Sequence, residues 1–458
     1  MRTDSLIRQP IPPLVRQIAV PASVGYFFNT MFNVVDTYFA GLISTQALAS
    51  LSLSFPVFFV IIAAGTGIST GTTALIANAL GAGDRDAGKR IGIQGITFGV
   101  LASIVLTLIG VHASPLLFSA LGASGPYLTT CLAYMNTLFL GTVFFILAYM
   151  LNAILNALGD TRSFRNFLMA GFFLNILLDP WFIYGGMGIP PLGIGGVAAA
   201  TLLIQFLGCV YLGRKVYKTG FVSHKEVRDI LPNPHYLMEI ARQGFPASVN
   251  MMTVGMGIFV ITFFVSRFGE EAVAAYGIAT RVEQVALLPT IGLNVATLTL
   301  VAQNNGAGLF HRIQETVRTV LRYGGVLMGA AAVLVFVFAG ELMACFTDER
   351  EVVRIGAVYL RIAAFLLYAY VILFVHVAAL QGVKKPMFAV WMGLCRQILL
   401  PMLVFYGLAY GLGLGLRGIW WGIFSINWIA ALFTMVYAPW LLKKAHREGG
   451  LATAPGTD

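Results

Sequence analysis

Two carboxylates, Asp36 and Asp179, stand inside apolar stretches long enough to cross a lipid bilayer. An acidic side chain at that depth costs about 2.5–3.5 kcal/mol on insertion scales, so each one calls for a reason. Two acids held together away from water cannot both stay charged cheaply; such a pair binds a proton or recruits a cation. Asn175 precedes Asp179 by four residues and shares its helical face. Asn29, Asn33 and Asp36 are spaced i, i+4, i+7 and are expected to form one stripe. Thr201, Tyr134 and Asn152 lie in neighbouring apolar stretches and are expected to add oxygens. Asp, Asn and Thr oxygens are hard ligands that suit Na⁺ as well as H⁺. The residues leave that choice open. They also leave open a buried acid held by amides and hydroxyls with no ion traffic.

The second half of the chain carries different charges. Arg281, Glu283 and Arg396 all fall within apolar stretches. Glu283 and Arg396 are expected to form an ion pair between helices, while Arg281, two residues from Glu283, points to another face. Structural glue and contact with a substrate or ion are both open readings of this group.

The elements that must position these groups are membrane helices. The 458-residue chain is 58% hydrophobic and only 10% charged, with a mean hydropathy of +0.83. A soluble protein of that length would be about a quarter charged. Twelve spans are expected, at 18–42, 47–79, 91–113, 126–157, 166–186, 194–213, 245–266, 272–303, 323–345, 355–381, 387–410 and 418–441. The fold class is therefore an all-α polytopic membrane protein. The +10 net charge suggests nucleic-acid binding until topology is considered. With the N-terminus inside, 22 of the 29 Lys and Arg residues fall on the cytoplasmic side, which places both termini in the cytoplasm. The basic excess is a topogenic signal that also suits anionic lipid heads. No small-residue cleavage site follows a short apolar core, so no signal peptide is expected. Cys131, Cys209, Cys345 and Cys395 lack metal spacing and read as small apolar packers.

The chain also repeats itself. Shifted by 225 residues, positions 21–83 match 246–308 with 19 identities in 63 and no gap. A second match at offset 222 pairs NILLD, at Asn175–Asp179, with QILLP, at Gln397–Pro401. The organisation read from this is an N-lobe at 1–213, a cytoplasmic linker at 214–244 with a short surface helix, a C-lobe at 245–445 and a cytoplasmic tail at 446–458. Parallel repeats are a common transporter plan in which substrate lies between halves that expose it alternately; a large static bundle is the alternative. The repeat gives an internal control, because Asp36 corresponds to Ile261 and Asp179 to Pro401. Apolar residues are tolerated at both positions in one half, so the fold does not require the acids.

Several motif matches carry no chemistry. GISTG at 67–71 fits G-x-S-x-G but lies within a span, where Gly67 and Gly71 instead suit close helix packing. GLGLRG at 413–418 fits a dinucleotide fingerprint but lies in an exterior turn. GAGDRDAGKR at 81–90 and LGDTRSFR at 158–165 are turns with topogenic charge. Pro21, Pro180, Pro246 and Pro289 lie in or near spans and are candidate kinks. No P-loop or nucleotide fold is found, which leaves an ion gradient as the expected energy source and no cofactor.

These residues resemble a known family. PAS opening spans 1 and 7, NVVDTYFAG at 33–41, GAG after spans 2 and 8, LGDTR after span 4 and LGIGGVAAATL opening span 6 look like the multidrug and toxic compound extrusion (MATE) transporters over residues 12–445. The resemblance implies two pseudo-symmetric six-helix lobes around a central cavity. It also implies efflux of cationic or amphipathic organic compounds coupled to inward H⁺ or Na⁺. Carried over by position, the family's cation site maps to Asp36, Asn175, Asp179 and Thr201, with Asn33, Tyr134 and Asn152 as a surrounding network. Spans 7 and 10 here lack the acids that one branch carries, which is similar to the DinF-like branch. Phe27, Phe28, Phe32, Tyr38 and the methionines Met251, Met252 and Met256 are candidate wall residues. A monomer in the plasma (inner) membrane, with drug-like substrates and lipid as its partners, is expected. The rival readings are a lipid-linked saccharide flippase, for which Arg281 and Arg396 would hold pyrophosphate, a lipid-active membrane enzyme and a passive channel.

Overall fold

The computed structural model describes residues 4–186, 188, 190–221 and 230–452. A backbone in hydrocarbon must satisfy its polar groups internally, and the described residues do so almost wholly as helix. In order these are α1 (Asp4–Arg8), α2 (Ile11–Ile43), α3 (Thr45–Gly81), α4 (Arg85–Ala120), α5 (Gly125–Leu140), α6 (Thr142–Ala157), α7 (Arg162–Tyr184), α8 (Ile194–Lys218), α9 (Pro234–Val265), α10 (Glu270–Gly306), α11 (Phe310–Val337), α12 (Ala339–Ala344), α13 (Arg350–Ala364), α14 (Leu367–Gly382), α15 (Met387–Leu394), α16 (Leu400–Phe405) and α17 (Gly415–Ala452). Among the described residues ten helices are long and apolar enough to span a membrane, and two bent pairs bring the number to as many as twelve.

The bent pairs are where the expected spans 126–157 and 355–381 differ from single rods. α5 and α6 meet at 44°, and α13 and α14 at 50°. The repeat offset of 225 carries Gly141, between α5 and α6, onto Leu366, between α13 and α14. The two breaks therefore fall at the same step of the repeat. Span 11 is interrupted differently, by π-helical turns at Cys395–Leu399 and Tyr406–Gly411. The prolines expected to kink, Pro21, Pro180, Pro246 and Pro289, all sit inside continuous helices.

The chain divides into two compact units. One gathers Val24–Leu80 and Asp84–Ser248; the other gathers residues up to Ser23, Gly81–Gly83 and everything from Val249 onward. In the second unit Leu6, Ile11, Leu14 and Ile18 are fully buried against Leu293, Val301, Val320 and Val375. The Arg312 guanidinium fixes this N-terminal stretch, donating to the carbonyls of Leu6 and Gln9 at 3.3 and 2.7 Å and to Asn304 Oδ1 at 2.8 Å. In the first unit the segment before α9 is tied to α4. Gln94 Nε2 donates to the Leu231 carbonyl at 2.8 Å, and Gln94 Oε1 accepts from the Asn233 amide at 2.9 Å. Of the linker expected at 214–244, residues 214–218 continue α8 and 234–244 open α9, while 222–229 lie outside the described residues. Gly67 and Gly71 are the close-packing pair the sequence suggested. A side chain at Gly67 would strike Ser248, and one at Gly71 would strike the Gly244 backbone, both on α9.

Candidate functional site

The acids meet in the first unit. α7 packs on α8, and α8 on α5 and α6, while α2 lies along α7, with Phe28 and Phe172 rings 5.5 Å apart. Asp36 on α2 is buried, and Asn175 and Asp179 on α7 are wholly so. Asn175 Nδ2 donates to Asp36 Oδ1 at 2.7 Å. The Asp36 and Asp179 carboxyls lie within hydrogen-bonding reach of one another, and the buried Tyr134 on α5 is within electrostatic range of both. Ala40, Ile183 and Val197 belong to the apolar cluster that walls the site, together with Tyr134 and Met135. Each of these aliphatic residues lies one turn from a polar one (Asp36, Asp179 and Thr201, respectively). The local pattern is one or two polar residues per helix in an otherwise apolar face, with α7 carrying both Asn175 and Asp179.

What the site lacks is hydrogen. Both Asp179 oxygens, Asn175 Oδ1 and Asn152 Oδ1 are buried with no hydrogen-bond partner. Buried polar atoms are nearly always partnered, and three oxygens within one turn of α7, both of Asp179 and Asn175 Oδ1, are not. Thr201 donates its hydroxyl to the Val197 carbonyl at 3.0 Å, which keeps its oxygen free to accept or to ligate. Two facing carboxyls with no donor between them are satisfied by a proton or by a small hard cation.

Not every residue of the expected set gathers here. Asn33 is exposed and donates back to the Asn29 carbonyl at 2.9 Å, so the stripe contributes Asp36 alone. The expected Glu283–Arg396 ion pair does not form. Tyr359 instead donates to Glu283 Oε2 at 3.0 Å, and Arg396 donates to Asn427 Oδ1 at 2.7 Å. Arg281 is exposed. Tyr359, Tyr370 and Asn427 were not singled out by the sequence, although the 225 offset carries Tyr134 onto Tyr359. Among the described residues no group of three or more His, Cys, Asp or Glu side chains is placed to hold a metal. Cys131 and Cys209 are buried as packers, whereas Cys345 is exposed; all four cysteines are free.

A helical membrane protein built from two repeats, with a buried acid pair in the first, belongs to the transporter class. The MatE family profile matches residues 21–181 and again 246–407, the same 225-residue offset seen in the sequence, and the chain belongs to that family. A relative from Thermotoga maritima, described as a probable multidrug resistance protein NorM, is 28% identical over 78% of this chain and 77% of its own. The multidrug export protein MepA of Staphylococcus aureus is 24% identical over 94% of each chain. YoeA of Bacillus subtilis, a probable multidrug resistance protein, is 30% identical over 69% of this chain and 68% of its own. Among solved structures, a MOP superfamily transporter from Pyrococcus furiosus superposes with a TM-score of 0.90 at 23% identity, over 97% of this chain and 99% of that one. That likeness establishes the fold.

Proposed function

We propose that this protein is a secondary antiporter that exports cationic or amphipathic organic compounds in exchange for H⁺ or Na⁺. The observation that carries the reading is the Asp36–Asp179 pair, buried and facing, with neither Asp179 oxygen partnered. Coupling requires a site that changes charge when the ion arrives. Ion uptake from outside neutralises the pair and lets α2 repack against α7, which displaces the exported compound. Solved neighbours described as MATE in a straight and in a bent conformation support a cycle with more than one arrangement. The export names of the relatives support the direction of transport and the drug-like class of substrate. Phe27, Tyr38, Met252 and Met256 are exposed and offer the adaptable apolar contact that varied cations need. The family assignment does not favour the flippase reading. The basic loops support an orientation in the plasma (inner) membrane with both termini cytoplasmic.

The test uses everted vesicles with a respiration-driven proton gradient, a panel of organic cations, and internal pH followed by a fluorescent dye. Discharge of the gradient by a compound in the wild type, lost in Asp36→Asn and in Asp179→Asn, is the expected result for H⁺. Uptake that needs Na⁺ and survives a protonophore identifies Na⁺. Equal behaviour of both variants and the wild type overturns the reading.

A further inference from the structure

The second unit holds a buried acid that the site above does not use. Glu283, on α10, is 8% exposed, and its Oε1 has no hydrogen-bond partner. The Tyr359 hydroxyl donates to Oε2 at 3.0 Å from α13, and Tyr370 faces the same carboxyl from α14. Among the described residues Tyr276, on α10 itself, is a further titratable neighbour, and Arg396 is the charged group within electrostatic range. Arg396 sits in the π-helical turn Cys395–Leu399, bonded to Asn427, with its guanidinium 5.7 Å from the Tyr370 ring centroid. It forms no ion pair with Glu283; Tyr370 stands between the two charges in the chain of contacts.

The repeat makes this arrangement informative. Tyr134 and Tyr359 are equivalent residues on the first arms of the two bent spans; Tyr359 donates to a buried carboxyl and Tyr134 lies within electrostatic range of two. Yet Glu283 corresponds to Phe58, Asp36 to Ile261 and Asp179 to Pro401. In the two units the acids nearest this tyrosine position stand on different, non-equivalent helices. A carboxyl kept for packing alone would have both oxygens satisfied. The Arg396 guanidinium, joined to this carboxyl through Tyr370, disfavours a second cation such as Na⁺ beside it. We propose that Glu283 is a proton-exchanging site of the C-terminal unit, with Tyr359 and Tyr370 as positioning residues. Its place in a transport cycle rests on the antiport reading; its existence does not.

The experiment is infrared difference spectroscopy of the purified full-length chain, stepped across roughly pH 5 to 9, in an Asp36→Asn/Asp179→Asn background that removes the first pair. A carboxyl C=O band that appears and disappears with pH is expected, and Glu283→Gln abolishes it. Gln keeps an acceptor for Tyr359, so the fold is preserved. Uniform ¹³C-glutamate labelling shifts the band without any substitution at 283. Tyr359→Phe keeps the band but moves its frequency, because the carboxyl loses a hydrogen-bond partner. Absence of a titrating band, its survival in Glu283→Gln, or its removal by NaCl at constant pH overturns the proposal. A wild type that neither discharges the gradient nor takes up compound with Na⁺ in vesicles defeats the antiport reading and leaves this result standing.

Discussion

Asn175 and Asp36, 139 residues apart, are joined by one hydrogen bond of 2.7 Å that fixes which way the amide points. With Nδ2 on Asp36, Asn175 Oδ1 faces away and lacks a partner, as do both Asp179 oxygens. A hydrogen bond to a charged group contributes about 1.5–3 kcal/mol. Asn175→Leu is therefore expected to lower coupled transport about tenfold or more with little loss of folded protein. The exchange Asp36→Asn/Asn175→Asp moves the acid by one hydrogen bond and keeps the donor–acceptor pair. It is expected to recover part of the activity lost in each single variant, with a coupling of about 0.5–3 kcal/mol in a double-mutant cycle. Additive losses in vesicle transport would count against a shared site.

The repeat is packed with the same contact twice. Ser248 Oγ donates to the Ala64 carbonyl at 3.5 Å, and Ser23 Oγ to the Pro289 carbonyl at 3.3 Å. The 225 offset relates the two serines and also the two acceptors. The glycines one turn further on, Gly67 and Gly292, leave no room for a side chain beside Ser248 and Ser23. Gly67→Leu and Gly292→Leu are each expected to destabilise the purified protein by about 1–3 kcal/mol through overpacking. Gly41→Ala, with nothing within 4 Å of the new atom, is expected to stay within about 0.5 kcal/mol of wild type. Thermal unfolding in detergent reads all three.

The legible parts of the sequence were those set by composition and by single-helix geometry. Spans, the repeat, Gly67 and Gly71, and the acids Asp36 and Asp179 all announce themselves because a polar or small residue interrupts an apolar run. What depends on which helices become neighbours was not legible. Asn33 lies about 60° around α2 from Asp36, enough to leave it exposed while Asp36 is covered by α7. Opposite charges at Glu283 and Arg396 suggested a pair, but tyrosines and Asn427 reached each charge first. The bend at Gly141 has a glycine to mark it. Its counterpart at Leu366 has none, and only the repeat offset could have located it.

Arg396 makes two demands that a lysine cannot meet together. One guanidinium nitrogen donates to Asn427 Oδ1 at 2.7 Å while the planar group lies over the Tyr370 ring. A lysine is a compact point charge on a flexible stem. Arg396→Lys is expected to leave either Asn427 or the ring without its contact and to cost about 1–3 kcal/mol. Arg396→Lys that unfolds with the wild-type profile would show that the planar group is dispensable.

The turn after each bent span also repeats, but with unequal chemistry. Gly159 has φ +79°, and its equivalent under the 225 offset, Lys384, has φ +61°. Lys384 is the one non-glycine residue among those described with positive φ. The left-handed conformation costs an L residue about 1–2 kcal/mol, and glycine avoids it. Gly159→Ala is therefore expected to destabilise the protein by about 1 kcal/mol. Lys384→Gly relieves strain of similar size, but glycine also gives the unfolded chain more freedom, which takes back about 0.4–1 kcal/mol. The expected net change is a gain between zero and about 1 kcal/mol. Thermal unfolding of both variants in one detergent compares them directly. A loss of stability in Lys384→Gly as large as that in Gly159→Ala would mean that the Lys384 side chain contributes more than its backbone strain removes.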